Sequence, residues 1–321
     1  MTQGTSRADV GISPTLRDCP KARPASSIGT RLAALNDSVL ADALPYVSSF
    51  RDRYVVVKIG GAPLRDREAR ERMAADLIWL TEVGVRVVVV HGGGPQISDM
   101  LDRLGIESHF VRGQRFTDPA VLEVVEMVLG GAVNQALVRT VVALGGRAIG
   151  LTGIDAGMAH AQPGQGRSDL GLVGYRPTFD TSLLEGLAPE LIPIVAPLAV
   201  AEGGGGVLNV NADVFAARLA SALAADKLVM VTDVPGVRGL DGQLLSTLTA
   251  LQARALIASG VISGGMIPKI EQALHALQTG VKKAHIIDGR RPHALLIELF
   301  STDGVGTEMI ADAPEPRGIE P

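Results

Sequence analysis

Tyr54-Val55-Val56-Val57-Lys58-Ile59-Gly60-Gly61 is a short apolar run that ends in a lysine, an isoleucine and two glycines. A continuous apolar run of this length predicts a strand buried on both faces, as in a parallel sheet that helices cover on either side. A second such run, Arg86-Val87-Val88-Val89-Val90, follows a helical apolar pattern that extends from Glu68 to Val83. These three segments together predict a β–α–β unit.

The same alternation of strands and helices continues along the chain. Helices are predicted from Pro95 to about Leu104 and over 119–144, 213–223 and 268–278, and strands over 148–151, 192–195 and 227–232, with 284–287 as a last core strand. Leu240-Asp241-Gly242 and the Gly203–Gly206 run are hairpin signals. The alternation predicts an α/β fold on a largely parallel sheet.

Composition and charge exclude several classes of protein. With 46% hydrophobic and 20% charged residues, the chain as a whole is not disordered, and its net charge of −4 offers no platform for nucleic acid or an anionic membrane. The single cysteine, Cys19, allows neither an internal disulfide nor a cysteine-ligated metal site, which fits a cytoplasmic location. No secretory signal is found, and no apolar run is expected to reach membrane-spanning length.

Four glycine-rich or charged junctions are candidates for chemistry, and three of them follow a predicted strand, at the edge where open α/β sheets bind ligands. In the first, Val57–Gly61, glycines let backbone N–H groups approach a phosphate and Lys58 adds a mobile charge. The second, His91-Gly92-Gly93-Gly94-Pro95-Gln96, begins a helix whose N-terminus favours an anion. A tight turn alone would also explain the first pair of glycines. His91 is also consistent with a core histidine that forms hydrogen bonds and has no role in chemistry. Neither segment matches the dinucleotide fingerprint or the P-loop.

The third and fourth junctions add a carboxylate and a second lysine. Asn209, Asn211 and Asp213 alternate, which predicts that all three point the same way if the stretch is extended, although helix capping would account for one of them. Lys269, just after Gly264-Gly265, opposes the helix dipole, and lysines are scarce in this chain. Two lysines beside glycine turns, with an aspartate that orients them, are what phosphoryl transfer requires.

Six ordered blocks resemble the amino-acid kinase family, most closely its N-acetyl-L-glutamate kinases, between about Leu35 and Ile310. The blocks are Lys58-Ile59-Gly60-Gly61, His91-Gly92-Gly93-Gly94-Pro95-Gln96, Gly113-Gln114-Arg115-Phe116-Thr117, Gly150-Leu151-Thr152-Gly153, Asn209-Val210-Asn211-Ala212-Asp213 and Gly265-Met266-Ile267-Pro268-Lys269. The resemblance implies a three-layer αβα sandwich and ATP-dependent phosphorylation of the γ-carboxylate of N-acetyl-L-glutamate. That reaction yields N-acetyl-L-glutamyl 5-phosphate in the second step of arginine biosynthesis.

The resemblance also implies roles for individual residues. Lys58 and Lys269 would stabilise the transferring phosphoryl group while Asp213 holds both lysines. Arg115 would clamp the substrate's α-carboxylate, and Asn209 would bind the same substrate. The backbone N–H groups of four glycines would line the phosphoryl path, namely Gly60, Gly61, Gly93 and Gly94. No protein base is needed, because the γ-carboxylate is already ionised, and Mg²⁺ arrives with ATP rather than at a dedicated protein site.

The same resemblance implies a domain organisation. Residues 1–34 are expected to be a disordered tail, 35–53 an oligomerisation helix, 54–198 the lobe that binds N-acetylglutamate, 199–310 the ATP lobe with an arginine site, and 311–321 a second tail.

Regulation is a second implication. The helix around Leu44-Pro45-Tyr46 is similar to that of arginine-inhibited members, which form hexameric rings. The arginine-site candidates are Tyr46, His285, Glu298, Gly304 and Gly306. For Glu298, an exposed position on a helix with no ligand is an equally weighted alternative. Whether a PII-type signalling protein docks on such a ring stays open.

Some positions depart from the family pattern. Ala62-Pro63-Leu64 stands where Asn-Ala-Met is commoner, Ile154-Asp155 replaces Lys-Asp, and Tyr175-Arg176 is unusual. A paralogous kinase of a related acylated acidic amino acid, such as an aminoadipate, therefore stays open. A non-catalytic arginine sensor is disfavoured because Lys58, Asp213 and Lys269 are all present.

Overall fold

The structure of the protein is a computed structural model that describes residues 50–111, 113–164, 170–301 and 304–312. All of these residues belong to one unit of the chain. Several predictions lie wholly or partly outside the described residues: the tail at 1–34, Tyr46, the N-terminal helix at 35–53 up to residue 49, and the tail at 311–321 from residue 313 onward.

The secondary structure alternates as expected. The strands are β1 (Tyr54–Ile59), β2 (Arg86–His91), β3 (Phe110–Val111), β4 (Gln114–Arg115), β5 (Arg147–Thr152), β6 (Ala159–Pro163), β7 (Val173–Phe179), β8 (Leu191–Ala196), β9 (Leu198–Ala201), β10 (Val207–Val210), β11 (Lys227–Thr232), β12 (Thr247–Thr249), β13 (Lys283–Asp288) and β14 (Thr307–Ile310). The α-helices are α1 (Ala62–Arg65), α2 (Arg67–Glu82), α3 (Gly94–Leu104), α4 (Pro119–Glu126), α5 (Asn134–Ala143), α6 (Ser182–Glu185), α7 (Ala212–Ala222), α8 (Ala250–Ala258), α9 (Met266–Gln278) and α10 (Ala294–Phe300). A π-helical segment, Met127–Val133, joins α4 to α5.

An eight-stranded sheet forms the centre of this unit, in the order β12-β14-β13-β11-β1-β2-β8-β5. Every neighbouring pair is parallel except β13 and β14, which run antiparallel. In the middle of the sheet, Lys58 of β1 pairs with Val90 on one side and Met230 on the other. The predicted largely parallel central sheet is confirmed.

Alternating side chains of the central strands feed two separate hydrophobic cores. Val56 and Val88 belong to one core, which α7 and α9 cover. Val55 and Val57 point the opposite way, into a second core covered by α2, α3, α10 and the helix that contains the π-helical segment. Because side chains along a strand alternate between faces, one apolar run supplies both cores. The three-layer αβα sandwich is confirmed.

Four short strands close on themselves in the order β10-β7-β6-β9. The hairpin expected at Gly203–Gly206 is confirmed, since these glycines join the antiparallel strands β9 and β10. The hairpin at Leu240-Asp241-Gly242 is also present, closed by a bridge between Arg238 and Leu244. The sequence patterns predict neither β6 nor β7, because both contain polar residues and are stabilised by their neighbours rather than by an apolar run of their own.

The edge of the main sheet differs from the expectation in one respect. Ala284–Ile287 was expected to be the last core strand, and it lies in β13, but β14 follows it in the chain and pairs with it. β14 in turn pairs with the three-residue strand β12. Strands this short carry too few residues for a periodic signal, so the sequence does not reveal them.

The helix predicted over 119–144 is present as one continuous segment, Pro119–Ala143, with its π-helical turns in the middle. By length and composition it is long and apolar enough to cross a membrane, so the expectation that no segment would reach this length is wrong. Its buried residues, among them Val125, Leu129 and Leu137, belong to the second core. The apolar length of this helix is therefore used in packing against the sheet and α2.

Two glycines, one closely surrounded and one not, provide a test of how tightly the protein is packed. A Cβ at Gly153 would lie 2.0 Å from Leu198 O and 2.8 Å from the Ala159 Cβ, whereas a Cβ at Gly131 would meet nothing within 4 Å. Gly153→Ala is expected to lower the free energy of unfolding by about 1–3 kcal/mol or more through overpacking. Gly131→Ala should leave it unchanged or raise it by up to about 1 kcal/mol, because glycine weakens helices. Urea unfolding of both variants checks this, and equal losses would contradict it.

Candidate functional site

A cavity of about 210 Å³ opens at the carboxyl ends of the central strands. The chain passes from β1 to β2 on one side of β1 and later returns to the other side as β11, so the strand order changes direction at β1. Ligand sites of open α/β sheets lie at such a switch in strand order. The residues predicted for substrate binding line this cavity, namely Gly93, Gly94, Arg115 and Asn209, together with Lys58 and Asp213.

Asp213 connects two lysines that are far apart in the sequence. Its Oδ1 lies 2.8 Å from Lys58 Nζ, and its Oδ2 accepts a hydrogen bond from Lys269 Nζ at 2.9 Å. β1 supplies Lys58, the first turn of α7 supplies Asp213, and α9 supplies Lys269. The arrangement anticipated for these three side chains is therefore present in the folded chain.

The charge state of Asp213 follows from its surroundings. Burial by itself would raise the pKa of this carboxyl group, but the positive charges of Lys58 and Lys269 outweigh burial and lower the pKa to about 2. The side chains of Lys58 and Asp213 are only 9% and 12% exposed, so water screens their attraction poorly. At neutral pH the three side chains hold two positive charges and one negative charge, a net charge of +1; Lys58 and Asp213 line the cavity, whereas Lys269 does not.

The approach to α7 corrects one expectation. Asn209 is the penultimate residue of β10. Asn211, however, is the N-cap of α7, and its side chain accepts hydrogen bonds from the N–H groups of Asp213 and Val214 at 2.9 and 3.2 Å. Asp213 is thus helical, and the idea that all three side chains align along an extended stretch is wrong. They still line one cavity, because the strand-to-helix turn directs them there. The capping alternative accounts for Asn211.

Arg115 also lines the cavity. Its guanidinium donates hydrogen bonds to Ser98 Oγ at 2.7 Å, to Gly94 O at 3.0 Å and to Ser108 Oγ. It also lies 4.6 Å from the centre of the Phe110 ring. Neutral oxygens hold the group in place, and no carboxylate in the described part of the chain forms an ion pair with it. Its positive charge is therefore available to an anionic ligand.

Asn209, a residue of β10, also lines the cavity. Its Nδ2 donates to Thr117 Oγ1 at 3.2 Å, which fixes the orientation of the amide. Thr117 Oγ1 in turn donates to Arg115 O at 3.1 Å. A short hydrogen-bonded chain thus links the two residues that were predicted to bind the same substrate.

The two glycine pairs differ in whether they line the cavity. Gly93 and Gly94 line the cavity, and a Cβ at Gly93 would lie 2.6 Å from Leu129 Cδ2, so only glycine fits there without a shift. Gly60 and Gly61 are not among the residues that line this cavity. The N–H of Gly60 donates to Val231 O at 3.1 Å, which corrects its expected role as a free donor in this conformation.

Gly61 has a different structural role. It adopts a φ of 65°, and a Cβ at this position would lie 2.2 Å from Asp233 Oδ1. That carboxylate follows β11 and accepts a hydrogen bond from the N–H of Ala62 at 2.6 Å. The close approach of Asp233 and the left-handed backbone together require glycine at position 61.

The four candidate arginine-site residues that the structure describes also lie together, namely His285, Glu298, Gly304 and Gly306. His285 Nδ1 is 2.8 Å from Glu298 Oε1, and Glu298 Oε2 accepts from the N–H groups of Val305 and Gly306 at 2.7 and 2.9 Å. The Glu298 side chain is 3% exposed, so the alternative that it is an exposed helix residue is wrong. Burial would raise the pKa of this carboxyl group, but its hydrogen bonds, first that with His285, lower it. Gly304, with a φ of 61°, leaves room for the carboxylate.

The sequence reasoning missed Lys227 next to this cluster. It is 8% exposed and has neither a hydrogen bond nor an ion pair within the residues described, while its Nζ lies 5.1 Å from the centre of the Phe50 ring. Burial lowers the pKa of its ammonium group, and the charges of Glu308 and Glu298 oppose that shift. The available signal was a scarce lysine at the start of an otherwise apolar strand.

No cluster of three or more histidine, cysteine, aspartate or glutamate side chains that could hold a metal ion occurs among the residues described. Asp213, the carboxylate in the cavity wall, is neutralised by lysines and is not free to bind a cation. The site is therefore built for anions.

Comparisons with known proteins agree with this geometry. Residues 53–288 match the Amino acid kinase family. The chain is 47% identical over 293 residues to an acetylglutamate kinase of Halorhodospira halophila, which covers 88% of this chain and 97% of that protein.

Two solved structures are similar in fold and, more weakly, in sequence. One is the N-acetylglutamate synthase from Neisseria gonorrhoeae complexed with coenzyme A and N-acetyl-glutamate, with a TM-score of 0.77, 27% identity, and coverage of 86% of this chain and 64% of that chain. The same synthase complexed with coenzyme A and L-arginine gives a TM-score of 0.74 and 26% identity, with coverage of 86% and 65%. The chain thus spans less than two thirds of the synthase's length.

The ion pairs of Asp213 predict a specific pattern of stability. Asp213→Asn leaves two ammonium groups facing each other and should cost about 3–5 kcal/mol of unfolding free energy, as is usual when a buried pair is broken. Adding Lys58→Met should recover part of that loss, because it removes the repulsion. Urea unfolding of the single and double variants measures this coupling.

Glu190→Gln is the matched control. Glu190 pairs with Arg147, and both side chains are more than half exposed. Loss of this pair should cost less than about 1 kcal/mol. Equal effects of Asp213→Asn and Glu190→Gln would show that the lysine–aspartate contacts are not energetically coupled.

Proposed function

Since this chain belongs to the amino acid kinase family, we propose that it transfers the γ-phosphoryl group of ATP to the γ-carboxylate of N-acetyl-L-glutamate. The observation that carries the proposal is that Asp213 joins two lysines, and that Asp213 and Lys58 line the same cavity as Arg115. The 47% identity to a protein named acetylglutamate kinase supports the choice of substrate.

N-acetyl-L-glutamate has two carboxylates, and the cavity offers each a different environment. The α-carboxylate would bind the guanidinium of Arg115, which is fixed by Ser98 and Gly94 and lacks an ion-pair partner within the described ranges. Guanidinium groups bind carboxylates with two parallel hydrogen bonds, so this contact fixes orientation as well as position. The γ-carboxylate would then extend toward Lys58 and Asp213.

The reaction forms one bond and breaks another. An oxygen of the γ-carboxylate attacks the γ-phosphorus of ATP, the bond from that phosphorus to the bridging oxygen breaks, and ADP leaves with the electron pair. The carboxylate is already ionised at neutral pH, so no side chain has to remove a proton. Catalysis then depends on positioning the reactants and on stabilising charge on the transferring group.

Lys58 and Lys269 supply that charge stabilisation in the proposed mechanism. Their ammonium groups are held 2.8 and 2.9 Å from the two oxygens of Asp213, so neither has to reorganise when negative charge develops. Mg²⁺ would arrive with the nucleotide phosphates, since the described residues contain no carboxylate cluster for it. There it would neutralise phosphate charge.

We further propose the domain organisation and regulation that the family resemblance implies. Residues 54–198 would form the N-acetylglutamate lobe and 199–310 the ATP lobe, in a cytoplasmic homohexamer inhibited by arginine. The buried Lys227, His285 and Glu298 support an effector site, because such a cluster can bind a zwitterion with one further positive charge. The L-arginine complex of the similar synthase supports the same proposal.

The first experiment measures ADP release with ATP and Mg²⁺ on N-acetyl-L-glutamate, L-glutamate and N-acetyl-aminoadipate, each with and without arginine. We expect turnover on N-acetyl-L-glutamate and suppression by arginine, with a light-scattering mass of six chains. Preferential turnover on N-acetyl-aminoadipate would identify a paralogous kinase. Arginine binding without turnover on any substrate would overturn the kinase proposal and favour a sensor.

Kinetic constants of single variants test the assigned roles. Lys58→Met and Lys269→Met should each lower kcat by about 10²–10³-fold, the usual loss of one transition-state donor. Arg115→Ala should instead raise KM for N-acetyl-L-glutamate by about 10–100-fold, because it removes charged hydrogen bonds to bound substrate.

Lys282→Met is the control for the loss of a positive charge. Lys282 is 64% exposed on its side chain and pairs with Asp226, which does not line the cavity. Its variant should keep both constants. The roles would be contradicted if Arg115→Ala and Lys269→Met changed kcat and KM in the same proportion.

A further inference from the structure

Behind the glycine loop of the cavity lies a fully buried histidine. His91 ends β2 and has no exposed surface. Its Nδ1 lies 2.8 Å from Gly92 O, and its Nε2 lies 3.2 Å from Asn134 Nδ2. The proposed reaction does not use this side chain directly, and its two ring nitrogens have different kinds of partner.

These partners define which ring nitrogen carries the proton. Gly92 O is a carbonyl oxygen and can only accept, so Nδ1 must donate. Asn134 Nδ2 also donates to Ile194 O at 2.7 Å and faces Leu151 O at 3.2 Å, which identifies it as the NH₂ end of the amide. Its two hydrogens are shared among these carbonyl oxygens and His91 Nε2, and because an amide nitrogen can donate but cannot accept, Nε2 must be unprotonated. The ring is neutral, with its proton on Nδ1.

The surroundings keep the ring in this state. Burial, together with the nearby charge of Lys58, lowers the pKa of His91 to about 4 against the opposing effect of the hydrogen bond to Gly92. Asn134, 1% exposed, follows the π-helical segment, and its Oδ1 occupies space that a Cβ at position 150 would fill, 2.0 Å away. Gly150 thus makes room for the amide that holds the ring.

The ring in turn fixes one peptide group of the loop. The N–H of Gly92 donates to Ile59 O, and Gly93 O accepts from the N–H of Ile97, both at 2.9 Å. Gly92 O is occupied by His91. The N–H groups of Gly93 and Gly94 have no acceptor anywhere in the described chain, and both residues line the cavity.

The direction of the Gly93 N–H follows from peptide geometry. The described chain has no cis peptide bond, so the C=O of Gly92 and the N–H of Gly93 point in opposite directions. Since the C=O points at the buried ring, the N–H points away from it, toward the side on which Gly92, Gly93 and Gly94 border the cavity. Without the ring, this peptide could rotate and turn a carbonyl oxygen toward the anionic reactants.

We infer that His91 is a positioning residue: as the neutral Nδ1–H tautomer, it fixes the Gly92–Gly93 peptide so that the Gly93 N–H donates to an anionic oxygen of the reacting groups. This role rests on the proposed phosphoryl transfer. The ring itself touches no substrate. It acts through one carbonyl group, and Asn134 sets its tautomer from behind.

Two substitutions separate this role from simple filling of the core. His91→Asn places an amide N–H near the position of Nδ1 and keeps a donor for Gly92 O. His91→Gln extends toward Asn134 and lacks a donor at the Nδ1 position. Wild-type turnover on N-acetyl-L-glutamate is measured first, so that failure of the proposed function is recognised independently of the variants.

We expect His91→Gln to lower kcat by about 10²-fold, as for loss of one oriented donor, with KM for ATP changed by less than about threefold. His91→Asn should stay within about tenfold of the wild-type kcat, since its donor is retained. Thermal unfolding should show no larger loss of stability for His91→Gln than for His91→Asn, because glutamine is closer to histidine in size and leaves the smaller cavity. Equal losses of kcat in the two variants would overturn the positioning role.

The tautomer is tested on the intact enzyme by NMR of its ring nitrogens with labelled histidine, assigned by the signal missing from His91→Asn. If neither variant folds, the signal of His91 is assigned by elimination from variants of the other histidines. The spectrum of the intact enzyme then still tests which ring nitrogen carries the proton. A neutral ring protonated at Nδ1 is expected without any substrate present. A ring protonated at Nε2 would overturn the inference, since it would have no proton to donate to Gly92 O.

Discussion

The salt bridges of Asp213 to Lys58 and Lys269 are the interaction on which the site depends. The carboxylate joins the central strand β1 to two helices, α7 and α9, which cover the same face of the sheet. Because all three groups are largely buried, removal of Asp213 leaves two ammonium groups without a counter-charge, whereas removal of one lysine leaves a neutral pair. The arrangement thus stabilises the packing of two helices on the sheet while it keeps two ammonium groups in fixed positions.

Several glycines around this centre are required because another side chain lies against the backbone there, and not only because the chain turns. Gly61 makes room for Asp233, Gly93 for Leu129 and Gly150 for the amide of Asn134. Each approach brings a side chain against the backbone near the carboxyl end of a strand. The result is a loop whose peptide groups are fixed from behind, so that the N–H groups of Gly93 and Gly94 are left for the cavity.

The long runs of the central sheet were predictable because they are apolar on both faces, and β1, β2, β8, β11 and β13 were all identified from their sequences. Helices α2, α3, α7 and α9 carry a helical period or a capping signal and were identified as well. β6, β7, β12 and β14 were not, because each is short or polar and pairs with distant segments. The same limit applies to Asn211, whose capping bond depends on where α7 begins.

The sequence by itself determined the residue types of the site: two scarce lysines, one aspartate, one arginine and the glycines that make room around them. It also determined the α/β class, since apolar periodicity is a local property that needs no partner. Only the tertiary structure decided that Asp213 contacts both lysines, that Gly60 donates within the sheet, and that Glu298 and Lys227 are buried. These are contacts between segments distant in the chain, and their geometry is set by how helices pack on the sheet.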